Sequence, residues 1–164
     1  MTAIRLSLLL PFILAVCAGA GCGSQVDIAS AARLEEVKTG WFDAGITEDG
    51  KNKLVPSISL RIRNAGQSAI GSTQLNLVFK RASETEEWTT SFVRGIGAGG
   101  LDPGAITPPI VVHAQQGYTG LQPRLQMLSN SQFVDARVEV FAKHGSATWA
   151  KLAEFPIERQ LLTR

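Results

Sequence analysis

The sequence predicts an all-β protein, an antiparallel β-sandwich of about seven strands with one short helix. Three observations favour this class. Several segments alternate apolar and polar residues with a period of two, the pattern of a strand that buries one face. Turn-forming residues separate these segments at short intervals. Helices do not alternate with the strands, as they would in a βαβ protein with a parallel sheet.

The clearest strand predictions lie in the first half of the chain. A first strand is expected within residues 33–45, and a turn at residues 48–52 follows it. Residues 57–63 and 73–81 then alternate regularly, so each is expected to present one apolar face to a core. The residues predicted to form these two faces are Ile58, Leu60, Ile62, Leu75, Leu77 and Phe79.

Later segments complete the predicted sandwich. Strands are expected at residues 88–94, 110–113, 133–143 and 149–159, and Pro156 restricts the last of them to a sheet edge or a bulge. The predicted faces are Trp88, Thr90 and Phe92 in the first of these strands, and Val134, Ala136, Val138 and Val140 in the third. The helix is expected at residues 123–128, because Pro123 suits a first turn and Leu121, Leu125 and Leu128 fall at helical spacing.

The N-terminus has the three zones of an export signal. Arg5 supplies a positive charge, residues 6–16 form an apolar run too short to span a bilayer, and small residues follow. Pro11 and the glycines after the run argue against a buried core helix. A signal peptide is therefore predicted.

Ala20-Gly21-Cys22, followed by Gly23-Ser24, resembles the lipobox of bacterial lipoproteins. The resemblance implies that Cys22 receives a diacylglyceryl group and becomes the mature N-terminus. Gly19 departs from the pattern, which usually has leucine three residues before the cysteine, and Cys17 follows the branched Val16. The alternative is an ordinary secretory cleavage after Ala18 or Ala20, with Cys22 left as a free thiol.

The predicted organisation is a signal peptide over residues 1–21, a tether over residues 22–32 and a β-sandwich domain over residues 33–164. Cys22 would be the only cysteine of the mature chain, so the domain would contain no disulfide. Gly23 stands where many inner-membrane lipoproteins carry aspartate. The expected address is therefore the cell envelope, at the periplasmic face of the outer membrane in a Gram-negative host.

A second resemblance covers residues 56–113. The alternating strand that ends at Asn64, the hairpin segment over residues 70–79 and the Leu101-Asp102-Pro103-Gly104 corner resemble the Ig-like sandwich of late-embryogenesis-abundant type 2 and FxLYD-type domains. The FxLYD tetrapeptide itself is absent. The resemblance implies an Ig-like fold with a binding or undefined function and no enzymatic activity.

Several sequence patterns are candidates for a functional site. Residues 95–100 contain a G-x-G-x-x-G pattern, but the turn at residues 101–104 would block the helix that a dinucleotide site needs. His113 and His144 lie in separate segments without metal-ligand spacing. A Ser-His-Asp triad assembled by the fold stays open as a third hypothesis, a hydrolase. No catalytic, cofactor or metal residues are predicted.

The aromatic residues are expected at two kinds of position. Trp41, Trp88, Tyr118 and Trp149 are expected to pack in the core or on a sheet face. Phe141 falls on the polar face of its predicted strand, where it would either be covered by the helix at residues 123–128 or anchor a partner. Cover by the helix is the preferred interpretation.

The charge composition argues against one class of binding partner. Loss of Arg5 with the signal peptide leaves 15 basic residues against 14 acidic ones, and they are interspersed, so nucleic acid is not expected to bind. The leading hypothesis is a non-catalytic binding or scaffolding lipoprotein, held at the membrane by its lipid and bound to an envelope protein. The alternative is a docking subunit of an envelope secretion or transport assembly.

Overall fold

The computed structural model describes residues 26–162, so the predicted signal peptide and the lipidation site at Cys22 lie outside the described residues. The described chain contains nine strands and two short helices. The strands are β1 (Ala32–Ile46), β2 (Asn52–Asn64), β3 (Thr73–Arg81), β4 (Thr89–Ile96), β5 (Ile110–His113), β6 (Tyr118–Gly120), β7 (Ala136–His144), β8 (Ala150–Ile157) and β9 (Leu161–Leu162). The helices are α1 (Ile28–Ala31) and α2 (Arg124–Ser129). No helix within residues 26–162 has the length and apolar character needed to cross a membrane.

The strands form two sheets that face each other. The first sheet has the order β5-β2-β1-β9, with β6 also paired to β2, and the second has the order β4-β3-β7-β8. All pairs are antiparallel except β1 with β9. With β4 in the C′ position, this is the A-B-E against C′-C-F-G division of an Ig-like sandwich. The predicted antiparallel sandwich is confirmed; the unpredicted strands are the very short β6 and β9.

The core lies between the sheets and follows the predicted alternation. The inward residues of β2, β3 and β7 are almost completely buried: Ile58, Leu60, Ile62, Leu75, Leu77, Phe79, Ala136, Val138 and Val140. Val134 is the exception, because β7 begins only at Ala136 and Val134 lies in the preceding turn with 38% of its surface exposed. In β4 the prediction for Phe92 is wrong, since Phe92 points to the outer face of its sheet.

One end of the core is aromatic. The ring of Trp41 is fully buried and lies 4.6 Å from Phe133, 5.6 Å from Tyr118 and 6.5 Å from Trp88, measured between ring centroids. Core packing is thus confirmed for Trp41, Trp88 and Tyr118. These rings join β1 to the segments before β4 and β7, which are distant in the chain.

Asn64 joins the two segments that carried the second resemblance. Its Nδ2 donates to the carbonyls of Ser68 (2.9 Å) and Leu101 (2.8 Å), and its Oδ1 accepts from the amide of Gly66 (2.9 Å). The backbone amide of Gly104 donates to the Asn64 carbonyl at 2.8 Å. The end of β2 and the Leu101–Gly104 corner are therefore one hydrogen-bonded unit.

The edge strand β8 closes the sandwich against β1. Thr39 Oγ1 donates to the Pro156 carbonyl at 2.8 Å and accepts from the Glu158 amide at 3.2 Å. Pro156 pairs with Arg137 of β7, and β8 has no ladder partner on its other side. The prediction that Pro156 restricts this strand to an edge is confirmed.

The folded body includes α1. Asp27 caps this helix through its side chain, and Ile28 and Ala31 are buried in the core. The body thus begins before the boundary predicted at Arg33, and the chain between Cys22 and the body is shorter than the predicted tether. We call this end of the sandwich the α1 end. It contains the start of β1, the end of β2 and the end of β7.

The opposite end, the α2 end, contains the β1–β2 hairpin and the α2 helix. The helix occurs where the sequence predicts it, but its buried side chains are Met127 and Leu128. Of the three leucines at helical spacing, only Leu128 is buried, and Leu121 and Leu125 are exposed. A helix of six residues has room for little more than one inward-facing turn.

Candidate functional site

A serine and a histidine meet on adjacent strands. His113 Nδ1 lies 2.8 Å from Ser57 Oγ, and the Phe42 ring stacks on the imidazole with centroids 4.0 Å apart. Ser57 is fully buried, and its hydroxyl also donates to the Val55 carbonyl at 3.2 Å. Burial lowers the pKa of His113, which favours the neutral imidazole.

A serine beside a histidine is the arrangement that would favour a hydrolase, but this pair lacks two features that a serine hydrolase needs. A nucleophilic serine needs access to substrate, whereas Ser57 is enclosed beneath its neighbours. A triad also needs a carboxylate that orients the histidine, and His113 forms no hydrogen bond to one among the described residues. The contact as it stands is one that ties β5 to β2.

The second histidine lies elsewhere. His144 ends β7 in the other sheet, and its Nδ1 is 3.1 Å from the Ser72 carbonyl. Across residues 26–162, no group of three His, Cys, Asp or Glu side chains is placed to hold a metal ion.

The glycine-rich segment is part strand and part turn. β4 continues through Gly95 and Ile96, and Gly95 is required there because a Cβ would lie 2.8 Å from Leu75 Cγ. After the turn, Leu101 pairs with Ile70. No helix follows the glycines, as the sequence predicts, so the geometry of a dinucleotide site is not formed here.

Phe141 lies on the outer face of the second sheet, away from α2. In register, the row across this face is Phe92 of β4, Asn76 of β3, Phe141 of β7 and Lys151 of β8. The preferred prediction, cover by the helix, is wrong, because α2 packs beside β2 in the other sheet. Phe141 is partly covered by its neighbours on its own sheet instead.

Trp149 completes an exposed aromatic surface. Its ring centroid lies 6.0 Å from that of Phe92, although the two residues belong to opposite edges of the sheet. Phe92 is 67% exposed and Trp149 is 38% exposed, so of the two positions predicted for Trp149, the core or a sheet face, it takes the sheet face. We use the name aromatic surface for Phe92, Phe141 and Trp149.

Two cations adjoin the aromatic surface. Arg94 and Lys143 both pair in register with Gln74, one row nearer to the α1 end, and both share the outer face with Phe92 and Phe141. Neither has an ion-pair partner within the described part of the chain. Together with the rings, they make this half of the outer face both aromatic and basic.

The other half of the same face is a closed ion-pair network. Glu139 lies 2.8 Å from Lys80 and 2.8 Å from Lys151, and Lys151 also contacts Glu154 at 2.8 Å. The hydrogen bond from Lys151, followed by that from Lys80, lowers the pKa of Glu139 from 4.5 to about 2. The Glu139 side chain is only 14% exposed, so its charge is screened less than that of a surface carboxylate.

Glu139→Gln is expected to lower the free energy of unfolding at pH 7 by about 1–3 kcal/mol, after allowance for the exposure of Lys151. A carboxyl with a lower pKa in the folded chain stabilises the fold above its unfolded pKa, and this stabilisation is lost as the pH falls from 4.5 towards 2. Urea unfolding at pH 7 and at successively lower pH should show the two proteins converge. Glu154→Gln, in the same network but more exposed, is the control and should cost less than about 1 kcal/mol. A constant difference at every pH would contradict the assignment.

A second apolar surface lies at the α2 end. Leu121 is 77% exposed, Ile46 68% and Leu125 67%. Ile46 pairs with Asn52, and Asn52 pairs with Gly120, so Ile46 and Leu121 flank the same row of the first sheet. We call Ile46, Leu121 and Leu125 the aliphatic patch.

Contacts around the aliphatic patch hold it in place. Arg124 Nε lies 2.5 Å from Asp43 Oδ2, and Asn52 Nδ2 donates to the Gln122 carbonyl at 2.9 Å. These contacts fasten the start of α2 to the β1–β2 hairpin. This surface could not be predicted from the sequence, because leucines at helical spacing indicate a buried face as readily as an exposed one.

An open recess of about 650 Å³ lies beside the start of β7 and the end of β8 and carries charges that are paired with each other. Arg159 contacts Asp135 at 2.6 Å, and Arg137 contacts Glu154 at 3.1 Å. Because these guanidinium and carboxylate groups already satisfy one another, the recess is a weaker candidate for a site than the two exposed apolar surfaces.

The fold and these surfaces define an all-β sandwich protein with exposed apolar side chains at both ends. No protein-family model and no curated protein matches the chain. The chain is similar to several solved structures at low identity. One, a target of the Northeast Structural Genomics Consortium, shares 19% identity over 79% of this chain and 88% of its own, with a TM-score of 0.41.

Two further solved structures are similar at comparable levels. A Bordetella pertussis protein provisionally named ApaA shares 14% identity over 77% of this chain and 91% of its own, with a TM-score of 0.39. A protein from Archaeoglobus fulgidus shares 13% identity over 77% of this chain and 98% of its own, with a TM-score of 0.34. Likenesses of this size assign no function to the chain.

Proposed function

We propose that the protein is a non-catalytic binding or scaffolding lipoprotein of the bacterial cell envelope, which is anchored through Cys22 and docks a protein partner on the aliphatic patch. The observation that carries the proposal is the exposure of Leu121 and Leu125 at the end of the sandwich opposite to α1. The resemblance of residues 56–113 to late-embryogenesis-abundant type 2 and FxLYD-type domains, whose functions are mostly binding or undefined, agrees with it.

The position of the anchor supports this choice of surface. The chain enters the body at α1, and only a few residues separate Cys22 from the cap residue Asp27. A coil of that length spans roughly 10–15 Å, so the α1 end would face the membrane closely. A partner approaching from the surrounding compartment would meet the α2 end, where the aliphatic patch lies.

The rigidity of the patch supports docking further. Binding costs less free energy when the contacting side chains are already held in place, because less conformational entropy is lost. The Asp43–Arg124 ion pair and the bond from Asn52 supply that support at the base of α2. Exposed aliphatic side chains inside a polar rim are typical of a protein-binding surface.

The alternative function, a docking subunit of an envelope secretion or transport assembly, would use the same anchor and the same surface. The two proposals differ in whether the partner is a single protein or a subunit of a larger membrane assembly. A single recurring partner favours a binding or scaffolding role, and recovery of a multi-subunit membrane assembly favours the alternative.

The test is a crosslinked pull-down of the full-length, membrane-bound protein, with partners identified by mass spectrometry. Leu121→Ser with Leu125→Ser should reduce recovery of the partner at least about tenfold, since each leucine contributes roughly 1.5–3 kcal/mol when buried. Val111→Ser is the matched control, because Val111 is an exposed aliphatic residue on β5, outside the patch. Equal recovery with the double variant, or no reproducible protein partner, would refute the proposal.

The anchor is tested in the same preparations. Labelled palmitate should enter the wild-type protein and should not enter Cys22→Ala. Equal labelling of both proteins would show that Cys22 is not the acylated residue, and partner recovery from the soluble fraction would then have to be measured separately.

A further inference from the structure

We propose that the aromatic surface, with Arg94 and Lys143, is a second membrane contact that lies on anionic lipid headgroups. The inference rests on the proposed function only for the lipid anchor, and it does not involve the aliphatic patch. It assigns the occupant of the outer face of the second sheet from the position, chemistry and charge of that face.

The position is at the end where the chain enters the body. β7 ends at His144 and β8 begins at Ala150, and both strands contact α1. Trp149 immediately precedes β8, so its ring lies at this same end. Residues 1–25, which include the apolar run and Cys22, precede α1, and an anchor there would bring the aromatic surface to the membrane.

The side chains suit the interface between headgroups and acyl chains. Tryptophan is enriched at that depth because its ring is apolar while its N–H can donate a hydrogen bond. Trp149 and Phe92 are exposed and lie with their ring centroids 6.0 Å apart, with Phe141 between them in register. The exposed rings of Phe92 and Trp149 lie together, with the partly buried Phe141 in the row between them, and a headgroup layer could cover them.

The charges without ion-pair partners among the described residues are distributed unevenly between the α1 end and the α2 end. Arg94, Lys143 and Arg33, all towards the α1 end, lack ion-pair partners within residues 26–162. Of the described acids without such partners, Glu48, Glu86, Glu87 and Glu158 lie towards the α2 end, which also carries Lys53, a cation without an ion-pair partner among these residues. The α1 end also carries Asp102 and Asp27, and Asp27 caps α1. An anionic membrane would therefore attract the α1 end and repel the α2 end.

A lipid surface fits these observations better than a protein partner does. A short tether holds the face beside the membrane, and the two unpaired cations complement anionic headgroups. A protein that bound here would have to enter the gap between the domain and the membrane. Binding of a protein at this face is accordingly an outcome that the experiment must be able to reveal.

The experiment uses the full-length, lipidated protein on vesicles of phosphatidylcholine, alone or mixed with phosphatidylglycerol, with brominated acyl chains that quench tryptophan fluorescence. We expect stronger quenching with phosphatidylglycerol and loss of that increment in Trp149→Phe. Trp88→Phe is the matched control, since Trp88 belongs to the aromatic end of the core and its replacement should leave the increment unchanged.

The charge requirement is tested with Arg94→Gln and Lys143→Gln together. Each cation removed should weaken the preference for the anionic membrane about fivefold. Lys53→Gln, which removes a cation from the α2 half of β2, should have little effect. Flotation with pure phosphatidylcholine vesicles reports the anchor independently of quenching.

The outcomes are distinct. Quenching that depends on phosphatidylglycerol, Trp149 and the two cations supports the second contact. Equal quenching on both vesicles, no quenching of Trp149, or crosslinking of the aromatic surface to a protein in the pull-down of the membrane-bound protein overturns it. If the proposed function is wrong, partner recovery will be the same with and without Leu121 and Leu125, or the protein will not float with the vesicles.

Discussion

Replacing Asn64 with alanine is expected to lower the free energy of unfolding by about 3–5 kcal/mol. Asn64 is fully buried, and its amide forms three hydrogen bonds, with the Ser68 and Leu101 carbonyls and the Gly66 amide. Alanine would remove these bonds and would leave buried backbone groups without partners. Each such group costs about 1–3 kcal/mol in desolvation.

Chemical denaturation followed by circular dichroism measures this change. Asn76→Ala is the matched control, because Asn76 lies on the outer face of β3 and its Oδ1 has no hydrogen-bond partner among residues 26–162. The control should cost less than about 1 kcal/mol. If the two variants were equally stable, Asn64 would not be the residue that joins β2 to the Leu101–Gly104 corner.

Trp41→Ala is the second large effect, with an expected loss of about 3–5 kcal/mol. The indole is fully buried and contacts Phe133, Tyr118 and Trp88. Alanine would leave a cavity that these rings cannot fill, since they belong to segments held in place by separate strands. Both the transfer free energy of the ring and the cost of the cavity contribute.

Trp41→Phe distinguishes the contribution of the apolar ring contacts from that of the indole N–H. Trp41 Nε1 has no hydrogen-bond partner within the described part of the chain, so phenylalanine would remove an unsatisfied donor while keeping most of the apolar contact. We expect Trp41→Phe to cost well under half as much as Trp41→Ala in the same denaturation experiment. Equal costs would indicate that the indole nitrogen has a stabilising partner.

The two exposed surfaces lie towards opposite ends of the sandwich, and a different role is proposed for each. The α1 end carries the aromatic surface and unpaired cations, and the α2 end carries the aliphatic patch. If both proposals hold, the sandwich is a short spacer that lies on the membrane at one end and binds a protein at the other. This arrangement requires no catalytic group, and its two halves are tested by variants that share no residue.

Much of the fold could be predicted because it depends on local patterns. A strand that buries one face must alternate, so the inward residues of β2 and β3 were identified correctly. Pro156 cannot donate to a ladder, so its strand had to be an edge. β6 and β9 were missed because strands of two or three residues contain no readable period.

The candidate surfaces could be predicted only in part. Phe141 was recognised as an aromatic residue on a polar face, since alternation alone assigns it there. Its neighbours could not be named, because Phe92 and Trp149 are brought to it by pairing of β3 with β4 and by the β7–β8 hairpin. The path of the chain between the two sheets likewise decides that α2 lies beside β2 and does not cover Phe141.

The sequence by itself determined the fold class and the inward faces of β2, β3 and β7, and it predicts an export signal. These follow from period-two alternation, turn residues and the order of charge, apolar run and small residues. The tertiary structure alone decided which exposed residues lie together, that Ser57 is buried against His113, and that Leu121 and Leu125 lie at the end away from α1. The physical reason is that periodicity records whether a side chain is buried on its own strand or helix, whereas a surface is built from strands paired across long separations in the chain.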